Sequence, residues 1–354
     1  MEFDHIHIYV EDAIVSRNWF IDKFGFEEVV QNINDHDHTI TIANGPIYIL
    51  LSSPRHPQSP VANFLRQHPP GIADIAFRVD NLSQTIDRAI SGGAKLLQPV
   101  QTYHHAIAAS KWAIISGWGS LQHSLIEVKT ISPYKWLPGC QYPIKLKRSP
   151  IHLTAIDHVV LNVEVGDMNV AANWYNSILG LNPEQSFNIQ TDYSGLYSQV
   201  MTSPQGKIKF PINEPASGNS QIQEFLNFNR GSGIQHIALT TTNIIETVSF
   251  LNNQDLQFLS IPETYYDTIE GRGAAYRLQQ DWEPVKKNQI LVDWNPSNSA
   301  SMLLQIFTHP IFNQPTFFWE LIERRQSAQG FGEGNFQALF EAIERQQIDG
   351  KFTP

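Results

Sequence analysis

The stretch IDHVVLNVEVGDMNVAANWYNSILGLN, residues 156–182, has a counterpart near the start of the chain, FDHIHIYVEDAIVSRNWFIDKFGFE, residues 3–27. Each begins with an apolar residue and Asp-His, and then alternates like a strand. Each continues into a helix-like segment with Asn-Trp and a second aromatic residue, and closes on a glycine typical of helix ends. Two unrelated segments would not share so long a pattern by chance, so the chain contains a repeat.

A second pair of segments follows the same logic. GIADIAFRVDNLSQTIDRAISGGAKLL, residues 71–97, and GIQHIALTTTNIIETVSFLNNQDLQFL, residues 233–259, both read as a strand, a polar turn with Asn and an amphipathic helix. Apolar alternation after each helix supplies further strands, as in GPIYILLSS, HSLIEVK, GKIKFPIN and SMLLQIF. The sequence therefore predicts an α+β fold built from four strand–helix–strands modules in two similar halves.

The boundary between the halves falls in a stretch around residues 131–150 that holds four prolines and a cluster of basic residues. We expect an N-terminal domain over residues 1–135, a linker over 136–152 and a second domain over 153–354. Near its end the chain reads as a glycine-rich hinge followed by a helix over residues 335–347. Asn335 is a candidate N-cap, and one apolar helix face is formed by Phe336, Leu339, Phe340 and Ile343.

Composition limits the class of protein. The 354 residues are 42% hydrophobic, which suffices for a large core. The formal charge of −10 argues against general affinity for nucleic acid or anionic membranes. A single cysteine, Cys140, excludes intrachain disulfides and cysteine-rich metal clusters. With no secretory signal at the N-terminus and no apolar run of spanning length, the sequence predicts a cytoplasmic protein without a membrane or nucleic-acid partner.

Two of the thirteen histidines stand apart from the others, most of which lie in polar, loop-like stretches. His158 and His236 occupy the first strands of the two modules in the second half, at nearly equivalent positions. Taken singly, each is better explained as a hydrogen-bonded core histidine. If the two modules pack about a pseudo-twofold axis, however, both imidazoles face the same cavity. The repeat thus favours a binding site shared by His158 and His236.

A carboxylate completes this candidate site. Glu320 lies within PTFFWELIERR, residues 315–325, on what reads as the last strand. Strand alternation puts it on one face with Phe318 and Ile322, where an unpaired carboxylate is costly and would need a cation. Two imidazoles and one carboxylate form the ligand set of non-haem Fe(II) oxygenases, and zinc also accepts such a set. The ligands alone leave the metal open.

The first half offers an internal comparison. By the repeat, His5 corresponds to His158, Asp74 to His236, and Glu127 to Glu320. One histidine of the pattern is lost, so we expect a structural domain with a degenerate site. Weak metal binding there stays open.

Several motifs of the second half resemble those of the 4-hydroxyphenylpyruvate dioxygenase family, within the vicinal oxygen chelate superfamily. They appear in the family's order: SPQGKIKFPINEP, SQIQEFL, GSGIQHIAL, LLQIFTHP, PTFFWELIERR and GFGEGNFQALFEAIERQQ. The resemblance implies four βαβββ modules in two open barrel-like domains and a C-terminal gating helix. It also implies Fe(II) held by His158, His236 and Glu320.

The same resemblance implies the reaction and the pocket. The substrates would be 4-hydroxyphenylpyruvate and O2, and oxidative decarboxylation, ring hydroxylation and side-chain migration would give homogentisate and CO2. We expect a homo-oligomer, either a dimer or a tetramer. The resemblance also places the family's pocket residues on Ser198, Asn213, Gln221, Gln235, Gln305, Phe307, Phe318, Asn335, Phe336 and Phe340. Of these, Phe340 could equally be an ordinary core residue.

Two alternatives stay open. Hydroxymandelate synthases resemble this family in fold, metal and substrate but hydroxylate the benzylic carbon, and they tend to replace residues equivalent to Pro211, Asn213 and Phe307. A metal-free protein of this fold could instead bind an aromatic ligand without catalysis. Departures from the family pattern occur at Trp319, Glu323 and His309.

One neighbour of a predicted ligand poses a geometric question. In an ideal strand Gln235 points away from the face that carries His236. Either a bulge turns its amide toward the pocket, or Gln235 supports the site from behind.

Overall fold

The computed structural model describes residues 1–130, 134–138, 140, 144–145, 151, 153–190, 194–294, 301–332, 334–336 and 338. The first half contains one eight-stranded sheet in the order β2-β3-β4-β1-β5-β8-β7-β6. Its strands are β1 (Glu2–Tyr9), β2 (Glu27–Ile33), β3 (Asp37–Asn44), β4 (Ile47–Pro54), β5 (Gly71–Arg78), β6 (Leu96–His105), β7 (Ala108–Ser116) and β8 (Gln122–Thr130).

The second half repeats this sheet strand for strand, in the order β12-β13-β14-β11-β15-β18-β17-β16. Its strands are β11 (Leu153–Asn162), β12 (Asn182–Gln190), β13 (Gly195–Thr202), β14 (Lys209–Pro215), β15 (Gly233–Thr241), β16 (Leu291–Trp294), β17 (Met302–Phe307) and β18 (Phe318–Arg325). In the chain, the two sheets are separated by a small antiparallel pair, β9 (Tyr134–Lys135) and β10 (Ile144–Lys145).

Helices follow the first strand of every module. The helices of the first half are α1 (Ala13–Phe24), α2 (Pro60–Gln67) and α3 (Leu82–Ser91). Those of the second half are α4 (Met168–Leu179), α5 (Gln221–Asn229), α6 (Ile244–Asn253), α7 (Glu263–Gly271), α8 (Ala274–Leu278) and α9 (Trp282–Lys287), with a 3-10 turn at Gln279–Asp281. Helices α7 to α9 form an insertion between α6 and β16. In the described part of the chain, no helix has the length and apolarity that a membrane crossing requires.

The connections confirm the predicted modules. In each half the first strand pairs in parallel with the last strand of its own module and antiparallel with the first strand of the other module. Both halves are therefore curled half-barrels made of two βαβββ modules, and the α+β prediction is correct.

Local sequence signals explain where the helices begin and end. Asn81 and Asn243, the turn residues of the second repeat pair, accept backbone N–H bonds as the N-caps of α3 and α6. Gly25 and Gly180, the closing glycines of the first pair, end α1 and α4 with φ of 68° and 71°. Since a left-handed backbone favours glycine, these positions fix the helix ends.

Several predictions fall on residues beyond those described. Most of the expected linker, residues 136–152, and most of the expected C-terminal helix, residues 335–347, lie outside the described ranges. Residues 334–336 and 338 are helical. Asn335 is thus inside the helix, and its prediction as the N-cap is wrong because the helix already includes Gly334.

A buried charge cluster stabilises the first half. The carboxylate of Asp4 contacts the Nζ of Lys135 at 3.6 Å, the Nη2 of Arg78 at 2.9 Å and the Nδ1 of His5 at 2.9 Å. Burial by itself would raise the pKa of Asp4, but Lys135, His5 and Arg78 together lower it below its usual range. The charged form of Asp4 is therefore part of the folded state.

We expect Asp4→Asn to lower the free energy of unfolding by about 3–5 kcal/mol, because Lys135 would remain buried without its counter-charge. The contribution is complete above the ordinary aspartate pKa of about 4 and is lost as the pH falls toward the lowered pKa of the folded state. Urea unfolding of both proteins between pH 3 and pH 7 measures it. Asp80→Asn, at a side chain that is 97% exposed, is the matched control and should change stability little. A cost as small for Asp4→Asn as for Asp80→Asn would contradict the prediction.

Candidate metal centre and pocket

The three predicted ligands lie on neighbouring strands of the second sheet. His158 is on β11, His236 on β15 and Glu320 on β18, and β15 lies between the other two strands. His158, Ala238 and Glu320 form one row across the three strands, with His236 two residues away along β15. The residue that lies between His158 and Glu320 in this row, Ala238, has a small side chain.

The ligand atoms converge. The Oε2 atom of Glu320 lies 3.1 Å from the Nε2 atom of His158 and 3.7 Å from the Nε2 atom of His236. One ligand atom from each residue lies within 4.8 Å of the other two. Three atoms that bind one ion at about 2.1 Å and at right angles lie about 3 Å apart. The trio therefore fits a divalent metal with one face of its coordination sphere left open.

Electrostatics favour a cation at this point. Glu320 is buried, and in the described part of the chain it forms ion pairs only with the two histidines. Burial would lower the pKa of His158, but the charges of Glu320 and Asp157 raise it to about 9. Burial and the neighbouring His158 lower the pKa of His236 well below its ordinary value, so that imidazole stays neutral. The charge of Glu320 thus attracts a proton to His158, and a metal ion can take the place of that proton. The neutral imidazole of His236 is ready to bind the same ion.

Hydrogen bonds orient the remaining atoms of the ligands. The Nε2 atom of Gln305 donates to the Oε1 atom of Glu320 at 2.8 Å, which leaves Oε2 for the metal. The same amide donates to the carbonyl of Phe331, and its Oε1 atom accepts from Asn335 at 3.0 Å. Asn335 in turn accepts from the hydroxyl of Tyr265 at 2.8 Å. In this arrangement the polar atoms of Gln305 contact protein groups.

A bulge answers the question about Gln235. Val160 pairs with His236 while the next residue, Leu161, pairs with Ile234, so Gln235 is an extra residue in β15. Both Gln235 and His236 consequently line the pocket, and the Oε1 atom of Gln235 lies 3.2 Å from the Nδ1 atom of His236. Gln235 thus contacts a predicted ligand and faces the pocket at once.

The pocket brings together most of the predicted site. The predicted residues that line it beside the trio are Ser198, Asn213, Gln221, Gln235, Gln305, Phe307, Phe318 and Phe336. Asn335 is buried behind Gln305. Phe340 lies outside the described residues. The charged lining is confined to the trio, and the rest is aromatic, aliphatic or uncharged polar.

Sequence reasoning missed several lining residues. The ring centroid of Phe331 lies 5.4 Å from that of His158, and the ring centroid of Phe187 lies 5.1 Å from that of Phe336. The available signals were the two hinge glycines that flank Phe331, strand alternation for the residues on β11 to β13, and, for Ile222 on α5, its place next to Gln221. The missed positions are Val160, Phe187, Ile189, Leu196, Val200, Ile222 and Phe331.

The comparison between the halves needs one correction. Ala76 is the repeat counterpart of Ala238, and the register between β5 and β8 puts Ser124 beside Ala76, so Ser124 corresponds to Glu320. Glu127 was expected there but corresponds to Glu323, because both carboxylates accept the first backbone N–H of a helix, at Leu82 and Ile244. Alignment by sequence alone missed the difference of three residues.

The first half holds other contacts at the matching positions. Asp74 accepts hydrogen bonds from both the backbone N–H and the hydroxyl of Ser124, at 2.9 and 2.6 Å. Among the described residues, no further group of three potential ligands converges as the trio does.

Two departures from the family pattern lie away from the pocket. Trp319 packs against Phe20 and Phe24 of the first half, at the junction between the sheets. Glu323 caps α6 through Ile244. Because adjacent strand residues alternate, neither changes the lining.

Known proteins share this architecture. Two models described as the Glyoxalase/Bleomycin resistance protein/Dioxygenase superfamily match residues 4–109 and 155–269. A 4-hydroxyphenylpyruvate dioxygenase from Yarrowia lipolytica (strain CLIB 122 / E 150) is 35% identical over 366 residues, which cover 98% of this chain and 92% of the relative. The chain belongs to the 4-hydroxyphenylpyruvate dioxygenase family.

Other proteins similar to this chain do not carry the dioxygenase name. The uncharacterized protein slr0090 of Synechocystis sp. (strain ATCC 27184 / PCC 6803 / Kazusa) is 37% identical over 97% of both chains. A solved mutant of 4-hydroxymandelate synthase from Streptomyces coelicolor superposes with a TM-score of 0.83 at 26% identity, over 98% of each chain. Membership of the 4-hydroxyphenylpyruvate dioxygenase family thus fixes the fold and an enzyme family, while the reaction has to be argued from the pocket.

Proposed function

We propose that this chain is a 4-hydroxyphenylpyruvate dioxygenase that binds Fe(II) through His158, His236 and Glu320. It would convert 4-hydroxyphenylpyruvate and O2 to homogentisate and CO2. The observation that carries the proposal is the convergence of these three ligands at a pocket whose other lining residues are uncharged. Family membership supports it, since relatives at about 35% identity carry this name.

The metal would compensate for the acidity of the chain. Fe(II), when bound, would supply the redox chemistry and the positive charge that a 2-oxo acid and O2 require. The protein itself offers no Lys or Arg among the residues that line the pocket. The positive charge that attracts a substrate anion would consequently come from the metal held by His158, His236 and Glu320.

The side chains of the pocket suit an aromatic substrate. We propose that Phe307, Phe318 and Phe336 hold its ring by face and edge contacts. The uncharged donors Ser198 and Asn213 are paired across β13 and β14, and they would orient the phenol hydroxyl without adding charge. Gln221 and Gln235 complete this polar end, whereas Gln305 would act by orienting Glu320.

Two other functions remain as alternatives. 4-Hydroxymandelate synthase is favoured by the similarity to the Streptomyces coelicolor enzyme. Pro211, Asn213 and Phe307 all line the pocket, and their presence supports the dioxygenase instead. A protein that only binds an aromatic ligand would gain nothing from a buried glutamate between two histidines.

The division between the halves is part of the same proposal. Residues 153–354 would form the catalytic domain, because they contain the whole trio. Residues 1–135 would form a structural domain. Where the second half has His236 and Glu320, this domain has Asp74 and Ser124, which are hydrogen-bonded to each other.

The product assay is the decisive experiment. We expect the protein with Fe(II), O2 and 4-hydroxyphenylpyruvate to release CO2 and form homogentisate. Formation of 4-hydroxymandelate would assign the synthase reaction, and tight substrate binding without oxygen uptake would assign the binding protein. His236→Ala is the control, and it should lose both iron and turnover because one of three ligands is absent.

A further inference from the structure

Arg324 connects two parts of the pocket wall through one guanidinium group. It lies on β18 four residues after Glu320, and its side chain is 13% exposed. Its Nε and Nη2 atoms donate to the two carboxylate oxygens of Asp157, each at 2.7 Å. Its Nη1 atom donates to the backbone carbonyls of Ala328 and Gly330 at 3.0 and 2.9 Å. A planar guanidinium can serve all these acceptors at once, which an ammonium cannot do.

The first of these links leads to a predicted metal ligand. The Oδ1 atom of Asp157 also lies 2.9 Å from the Nδ1 atom of His158. Because Arg324 donates to both carboxylate oxygens of Asp157, the ionised carboxylate faces His158 as a hydrogen-bond acceptor. It therefore keeps the proton of His158 on Nδ1 and directs Nε2 toward Glu320.

The second link leads to the segment that covers the metal centre. Gly330 directly precedes Phe331 and Ala328 lies two residues before Gly330. The ring of Phe331 lines the pocket and contacts the ring of His158. Gly330 has φ of 85°, so the chain turns at this point. The guanidinium of Arg324 therefore holds both this turn, through its carbonyls, and the carboxylate of Asp157.

The first half shows which part of the arrangement accompanies the ligand trio. It keeps the Asp-His pair as Asp4 and His5, with the same 2.9 Å contact. The cations beside Asp4 come from Arg78 on β5 and from Lys135 instead. By the corrected alignment, the position of Arg324 is taken there by Val128. The arginine on the last strand therefore occurs with the complete trio and the covering segment.

We propose that Arg324 is a positioning residue that fixes His158 and the covering segment, residues 328–331, as one unit. Metal affinity and the order of this segment should consequently be coupled. The proposal rests on the proposed metal-dependent function, but it makes claims about binding and local structure that need no turnover.

The test compares Arg324→Ala with Arg325→Ala. Arg325 is the next residue of β18, and its guanidinium pairs with Glu323 and Asp281 at 2.7 and 2.8 Å, away from the pocket. Fe(II) affinity is measured anaerobically by chelator competition, and hydrogen exchange is measured for the amides of residues 328–332. Arg324→Lys is a second variant that keeps the charge and guards against failure of the alanine variant to fold.

We expect Arg324→Ala to weaken Fe(II) binding by about 10–100-fold, as loss of a supporting residue does at other metal sites. It should also speed exchange of the 328–332 amides, and methylguanidinium should restore part of both properties. Arg324→Lys should show both defects in milder form, and Arg325→Ala should show neither. Unchanged affinity, or weakened affinity with unchanged exchange in the segment, would overturn the coupling. Because turnover is not measured, a failed product assay would leave this test intact.

Discussion

Glu320→Gln should abolish metal retention while leaving the fold intact. The substitution keeps the shape of the side chain but removes the only carboxylate among the three converging ligands. Without it the two imidazoles alone would hold the ion, and we expect the affinity for Fe(II) to fall by at least about 100-fold. Anaerobic titration and metal content after desalting measure the change.

Thermal unfolding gives an independent measure of the same loss. A ligand that binds only the folded protein at 100 times its Kd adds about 2.7 kcal/mol to stability. Fe(II) should therefore raise the Tm of the unaltered protein but not that of Glu320→Gln. The matched control is Glu323→Gln on the same strand, which should weaken the cap on α6 yet keep the metal response. A Glu320→Gln protein with undiminished iron would remove Glu320 from the ligand set.

Gly332→Ala should impair turnover by about 100-fold, the cost typical of a small displacement of an active-site group. Gly332 has φ of 79°, and a Cβ at this position would overlap the Oε1 atom of Gln305. Gln305 would have to move, and its hydrogen bonds to Glu320 and Asn335 would be lost. The expected result is a folded protein with a misoriented ligand. Its kcat, KM and Fe(II) affinity are the quantities to measure.

Gly206→Ala is the control that separates backbone strain at a positive φ from the steric overlap with Gln305. Gly206 has φ of 68°, so alanine suffers a similar backbone penalty of about 1–2 kcal/mol, but nothing lies within 4 Å of its Cβ. It should lower stability and leave turnover unchanged. If Gly332→Ala affected turnover no more than Gly206→Ala does, the contact with Gln305 would not be what restricts this position.

The repeat made most of the fold predictable from sequence. Equivalent Asp-His pairs, turn asparagines and closing glycines predicted the modules, since the pairs mark the first strands and the asparagines and glycines fix the helix ends. The insertion α7 to α9 was not predicted, because it has no counterpart in the other modules. Pairing of distant strands also cannot be read from local signals, which is why Glu127 was aligned with Glu320 and not with Glu323.

Within the site, the trio was predictable because burial of Glu320 beside two histidines requires a cation. The structure brings their ligand atoms together as expected. The face that Gln235 presents was not predictable, since a bulge depends on which residue of the neighbouring strand it meets. Arg324 was overlooked for a related reason: its partners at Asp157 and Gly330 become neighbours only in the folded chain.

The bulge in β15 has a consequence for how the two halves diverged. In the first half, His7 pairs with Asp74 and Ile8 with Ile72, so Ala73 is an extra residue at the position of Gln235. The backbone there is already shaped to turn two adjacent side chains to one side. Descent from a common ancestor could thus add or remove a metal centre by point substitution alone, with no strand rebuilt. Two substitutions at the ligand positions separate the halves, because the first half keeps His5 but has Asp74 and Ser124 where the second half has His236 and Glu320.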